Sequence, residues 1–139
     1  MKKLTFIDSG VLIAVARGQE EVARRAVAII EDPQREWACS DFVRLEVLPK
    51  PVYLKKQDEV DFYTTFFAGV RIWVSSSKEL AQKALEEAKK FGLSAMDALH
   101  VAGAVFAKAE EIVTTEKSST SLCKVTSVRV SSILPTQTP

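Results

Sequence analysis

The chain opens with a short apolar block, Leu4-Thr5-Phe6-Ile7, that stops at Asp8-Ser9-Gly10 and reads as a buried strand. Residues 11–17 read as a short helix closed at Gly18. Over residues 20–30 the period changes, with Val22, Ala26, Ile29 and Ile30 on one helical face ahead of Pro33. Residues 36–39 form a second short strand, after which Ser40 or Asp41 caps a helix running to Leu48, and Pro49-Lys50-Pro51 reads as its stop. Val60, Tyr63, Phe66 and Phe67 make the stripe of a further helix ending at Gly69, and residues 70–74 alternate as a strand should. Ser76-x-x-Glu79 is a capping box opening a helix through Lys90, with Gly92 as its stop. Ser94-x-x-Asp97 opens another helix to about Ala109, and residues 111–114 and 127–130 are the last strands. This alternation predicts an α/β fold, a mostly parallel sheet with helices on both faces.

The remaining numbers narrow the class. At 139 residues the chain is expected to be one domain, 1–139, able to bury a core without disulfides or a structural metal. A hydrophobic share of 47% with 5 Gly and 5 Pro excludes disorder and collagen-like repeats. Nineteen Lys and Arg against 18 Asp and Glu leave +1, so there is no basic field; any nucleic acid must be handled by a local site. Cys39 and Cys123 show no CxxC spacing and read as two thiols in a reducing compartment. With His100 the only histidine, a metal would have to be held by oxygen. Asp8 interrupts what would be the apolar stretch of a signal peptide, and the six-residue run from Val11 to Ala16 is too short to span a membrane. A cytoplasmic protein with no membrane partner is expected.

The acidic residues carry the chemistry. In right-handed βαβ units, residues just after a strand and residues in the first turns of the returning helix gather at the carboxyl edge of the sheet. Asp8 follows strand one, Glu46 lies in the helix after strand two, Asp97 opens the helix feeding strand four, and Glu116 lies just past strand four. Each has a plainer alternative: Asp8 a turn residue, Glu46 a solvent-facing helix position, Asp97 half of a capping box with Ser94, Glu116 a loop charge. Their common edge is the stronger signal. Carboxylates held a few ångström apart raise each other's pKa or recruit a cation, and oxygen donors suit a hard ion such as Mg²⁺ or Mn²⁺.

Four segments, Phe6-Ile7-Asp8-Ser9-Gly10-Val11-Leu12-Ile13, Val43-Arg44-Leu45-Glu46-Val47, Ser94-Ala95-Met96-Asp97-Ala98-Leu99-His100-Val101-Ala102 and Ile112-Val113-Thr114-Thr115-Glu116-Lys117, resemble in order and spacing the PIN-domain family, and within it the VapC-like toxins. The resemblance implies a three-layer sandwich and a Mg²⁺- or Mn²⁺-dependent endoribonuclease acting on RNA. It implies a catalytic and metal-binding cluster of Asp8, Glu46, Asp97 and Glu116, with Ser9 as a hydroxyl beside the metal. It further implies a homodimer and a small antitoxin partner. The chain departs from the family at its last motif, where Glu116 stands in place of the usual Asp and Lys117-Ser118-Ser119 follows. The alternative is a catalytically weak PIN-like module that binds RNA or protein. A phosphoacceptor receiver domain also places an acid after strand one, but it needs an adjacent acidic pair that this chain lacks.

Around these acids, His100 is expected one turn from Asp97, either orienting it or simply structural. Phe62, Tyr63, Phe66 and Phe67 are core or a partner face. Arg17, Arg44 and Lys117 are candidate phosphate contacts.

Overall fold

The computed structural model describes residues 2–135. Five strands, β1 (Lys3–Ile7), β2 (Arg35–Ser40), β3 (Ile72–Val74), β4 (Glu111–Thr114) and β5 (Arg129–Ser132), form one sheet in the order β3-β2-β1-β4-β5. Every pairing is parallel, and Phe6 of the central strand sits level with Ala38 on one side and Ile112 on the other. Between the strands run α1 (Ser9–Arg17), α2 (Glu20–Ile30), α3 (Asp41–Val47), α4 (Pro49–Tyr53), α5 (Gln57–Ala68), α6 (Lys78–Phe91) and α7 (Ala95–Ala107), with a 3₁₀ turn at Leu122–Lys124. The result is a three-layer α/β sandwich. Helices cover both faces because parallel strands buried on both sides must return through crossovers.

The two faces are packed differently. Trp37 of β2 meets Phe66 of α5 with ring centroids 5.8 Å apart, and Phe67 meets Trp73 of β3 at 5.6 Å. Tyr63 is fully buried and donates its hydroxyl to Glu59 at 2.9 Å, so the aromatic stripe of α5 is core. On the opposite face α7 is mostly apolar and buries Ala98 and an unbroken run from His100 to Ala104, and Gly103 lets it lie close on the sheet. A Cβ at Gly103 would stand 3.0 Å from Cε2 and 3.1 Å from Cζ of Phe6, whose ring is fully buried. Gly103→Leu is therefore expected to cost about 2 kcal/mol through overpacking, more than the roughly 1 kcal/mol that replacing a helical glycine returns. Urea unfolding measures it; an unchanged midpoint would show that α7 can lift off the sheet without penalty.

Several boundaries differ from the sequence expectation. Pro49-Lys50-Pro51 does not end helical structure: α3 stops at Val47 and α4 restarts at Pro49, where a proline's missing N–H costs nothing. The N-cap of α6 is Ser77, whose Oγ accepts from Leu80 N at 3.0 Å, while the Ser76 N–H donates to Asp41 Oδ2 at 2.8 Å. β3 starts at Ile72 rather than 70, and β5 runs over Arg129–Ser132 rather than 127–130. Gly92, at φ +67°, closes α6 in the left-handed conformation, as anticipated.

Candidate active site

Asp8 ends β1 at the carboxyl edge and occupies the N-cap position of α1, yet its side chain makes no cap bond. Its Oδ2 instead accepts from Thr114 Oγ1 at 2.6 Å, and Thr114 Oγ1 accepts the backbone N–H of Glu116 at 3.0 Å. One buried hydroxyl at the end of β4 thus ties Asp8 to the loop that carries Glu116. Thr114 is fully buried and was not among the sequence candidates. The available signal was only its position, a hydroxyl on the last residue of a strand.

Glu46 reaches the same edge from α3, whose N-cap Ser40 accepts from Phe42 N at 3.2 Å and Val43 N at 3.3 Å. Glu46 Oε1 accepts from Ser9 Oγ at 2.8 Å and lies 2.5 Å from His100 Nε2. His100 Nε2 is also 3.7 Å from Asp8 Oδ1. Of the two readings left open for His100, orienting Asp97 or simply structural, neither names its partner: the histidine bonds Glu46. Asp97 and His100 share a face of α7, and the packing of α3 on α7 brings Glu46 to the ring as well. Asp8, Glu46 and His100 each offer a ligand atom within 4.8 Å of the others, the only such group of three among the described residues.

Asp97 and Glu116 stand further out but share the same field. Ser94 Oγ accepts from Asp97 N at 3.3 Å, so the serine caps α7. Burial, followed by the charge of Asp8, pushes the Asp97 carboxyl above its usual range. Burial, then the charges of Asp97 and Asp8, does the same to Glu116. Burial also works against the Glu46 carboxylate, but the hydrogen bonds from His100 and Ser9 outweigh it and hold Glu46 below its usual range. The acids that raise Asp97 and Glu116 are one another's neighbours, and an oxygen-rich cluster of like charges fits a hard divalent cation. Asp8 Oδ1 and Glu46 Oε2 make no hydrogen bond among the described residues and remain available to such an ion.

The basic candidates divide. Arg17 pairs with Glu59 at 3.3 Å, and Arg44 pairs with Asp41 at 3.2 Å while lying 4.8 Å over the Trp73 ring. Only Lys117, exposed beside Glu116, stays next to the acidic edge without such a tie among the described residues.

Fold and acidic edge together define a class, and the chain belongs to it: the family model of the PIN domain matches residues 5–124. The structure is similar to a chain of a toxin–antitoxin complex from Klebsiella pneumoniae, with a TM-score of 0.72 at 18% identity, covering 94% of this chain and 98% of that one. It is similar to a chain of VapBC2 from Rickettsia felis bound to a promoter DNA fragment, with a TM-score of 0.68 at 12% identity over 93% and 98% of the two chains. A chain of DNA-bound VapBC from Salmonella typhimurium gives a TM-score of 0.66 at 11% identity over 96% and 100%. No curated protein matches by sequence. No helix among the described residues is long and apolar enough to cross a membrane.

Proposed function

We propose that this PIN-domain protein is a divalent-cation-dependent endoribonuclease acting in the cytoplasm, the toxin of a toxin–antitoxin pair. The observation that supports the reading is the group of Asp8, Glu46 and His100, with a ligand atom of each within 4.8 Å of the others, beside which burial and the neighbouring acids raise Asp97 and Glu116. Asp8, Asp97, Glu46 and Glu116 would hold Mg²⁺ or Mn²⁺, with Ser9 acting through Glu46. When bound, such an ion supplies an activated water and neutralises charge on a phosphodiester. The chain's own residues do the rest. Thr114 and Ser9 hold the Asp8 and Glu46 carboxylates in place, and Lys117 is positioned for an RNA phosphate.

The antitoxin part draws support from the fold likeness to chains of toxin–antitoxin complexes and from the surface beside Glu46. There Leu45, Val52, Tyr53 and Leu54 of the α3–α4 region are 62%, 53%, 81% and 45% exposed. Exposed apolar residues so close in sequence suit a protein partner, a small antitoxin or a second copy in a homodimer. The same surface favours the second reading, a catalytically weak interaction module.

Substitutions at Glu116 separate the readings. Glu116→Asp, the shorter acid usual in the family, is expected to keep or increase Mn²⁺-dependent RNA cleavage, and Glu116→Ala to lower it about tenfold or more. Cleavage by Glu116→Ala at the wild-type rate would remove it from the ion's ligands and leave three acids. A wild-type protein that binds Mn²⁺ yet cleaves no RNA would favour the interaction module.

A further inference from the structure

His100 is 1% exposed, with Nε2 at 2.5 Å from Glu46 Oε1 and 3.7 Å from Asp8 Oδ1, while Nδ1 is buried and has no hydrogen-bond partner among the described residues. Two roles compete for this ring: ligand to a cation through Nε2, or hydrogen-bond donor to Glu46. A ligand imidazole gives up its proton at the coordinating nitrogen and carries one on the other. That second N–H is normally satisfied by a carboxylate, a carbonyl or a water. At His100 it would be Nδ1–H, buried where no acceptor among the described residues reaches it, which is the costly kind of orphan. With the proton on Nε2 the ring donates to Glu46 and leaves only a lone pair at Nδ1; buried acceptors without partners are tolerated better than buried donors.

We propose that His100 is a positioning residue whose Nε2–H, together with Ser9 Oγ–H, occupies Glu46 Oε1 and leaves Oε2 as the Glu46 oxygen available to a cation. The tautomer follows from the hydrogen-bond network. Kept as a donor, His100 makes the cation's ligands all oxygen, which suits Mg²⁺ and Mn²⁺; a nitrogen ligand would open the site to Zn²⁺ or Co²⁺. The role in cation binding rests on the ribonuclease reading, whereas the Nε2–H bond to Glu46 stands without it.

As the only histidine of the chain, His100 gives a single set of imidazole signals in ¹⁵N NMR. In metal-free protein Nε2 is expected to be protonated and slow to exchange, its resonance should move in Glu46→Gln, and the proton should stay on Nε2 when the wild type is saturated with Mg²⁺. Loss of that proton on adding Mg²⁺ would make His100 a ligand and overturn the proposal, as would a resonance indifferent to Glu46→Gln. Calorimetric titration with Mn²⁺ supplies the second arm. His100→Gln, whose amide nitrogen falls where Nε2 was, should bind within about threefold of wild type. His100→Asn, which reaches only the Nδ1 position, should bind about 10–100-fold more weakly. Equal Mn²⁺ affinity in both variants and wild type would reduce His100 to packing. A wild type that binds no Mn²⁺ would sink the cation reading alone, and the metal-free resonance would still decide the hydrogen bond.

Discussion

Asp8→Asn is expected to abolish Mn²⁺-dependent RNA cleavage, by about a thousandfold or roughly 4 kcal/mol, while metal-free stability at pH 7 stays level or rises. The two effects have one cause. The charge of Asp8 raises both Asp97 and Glu116, so removing it relieves repulsion and takes away a donor for the cation at once. The amide oxygen of asparagine still accepts from Thr114, at the cost of weakening a charge-assisted bond by about 1 kcal/mol. Relief of repulsion opposes that loss. For Asp97 and Glu116 the folded pKa lies above the unfolded one, so the folded state binds protons more tightly. Their stabilising contribution is present below the ordinary carboxylate pKa of about 4 and is lost as pH rises through the raised values. At pH 7 wild type therefore bears the whole repulsion, and at low pH the two proteins should converge. Thermal unfolding in EDTA at pH 7 and at pH 3, beside a cleavage assay, measures both. A variant that cleaves normally, or one clearly less stable than wild type at pH 7, would refute the shared cause.

The largest effect on stability is expected at the amino edge of the sheet, away from the acidic centre. Glu111 opens β4, its side chain only 5% exposed, and Oε1 accepts from Arg35 Nη1 at 2.8 Å. Arg35 of β2 also donates to Thr5 Oγ1 of β1 at 2.8 Å, and Ser131 of β5 donates to Glu111 Oε2. Lys3 at 3.6 Å and Arg129 at 3.8 Å add charge. One carboxylate thus clamps four strands. Glu111→Ala leaves a largely buried guanidinium with Asp32, at 3.2 Å, as its remaining charge partner and should cost about 3 kcal/mol, several times what a surface pair is worth. Burial raises the Glu111 carboxyl, but the bonds from Ser131 and Arg35, then the charges of Arg35 and Lys3, outweigh it and hold it low. The sign is opposite to that at Asp97: this contribution is present above about pH 4 and lost as pH falls through the depressed value. Urea midpoints of wild type and Glu111→Ala should accordingly draw together on acidification. A loss below about 1 kcal/mol at pH 7 would mean that the clamp is no better than an exposed ion pair.

The centre and the clamp differ in how far the sequence revealed them. The acids of the centre follow from topology: once strands and crossovers alternate, Asp8, Glu46, Asp97 and Glu116 are bound for the carboxyl edge, because a parallel sheet places every strand end there. The clamp has no such signature. Glu111 and Arg35 begin apolar strands and look like surface charges until the parallel register sets Thr5 level with both Trp37 and Glu111. The boundaries missed near Pro49 and Ser76 have a related origin, since a proline can start a helix as well as stop one, and Asp41 diverts Ser76 from across the fold.

By itself the sequence determined the α/β class, the order of elements, most helix ends and the edge at which the acids collect, because period, caps and crossover handedness are local or nearly so. Only the tertiary structure decided what each side chain does there. His100 lies three positions from Asp97 along the chain, yet it bonds to Glu46, 54 positions away. Asp8 sits at an N-cap and caps nothing, held instead by Thr114, 106 positions away. A side chain's hydrogen-bond partner depends on how helices and strands far apart in sequence pack to within about 3 Å, and no periodicity in the chain encodes that distance.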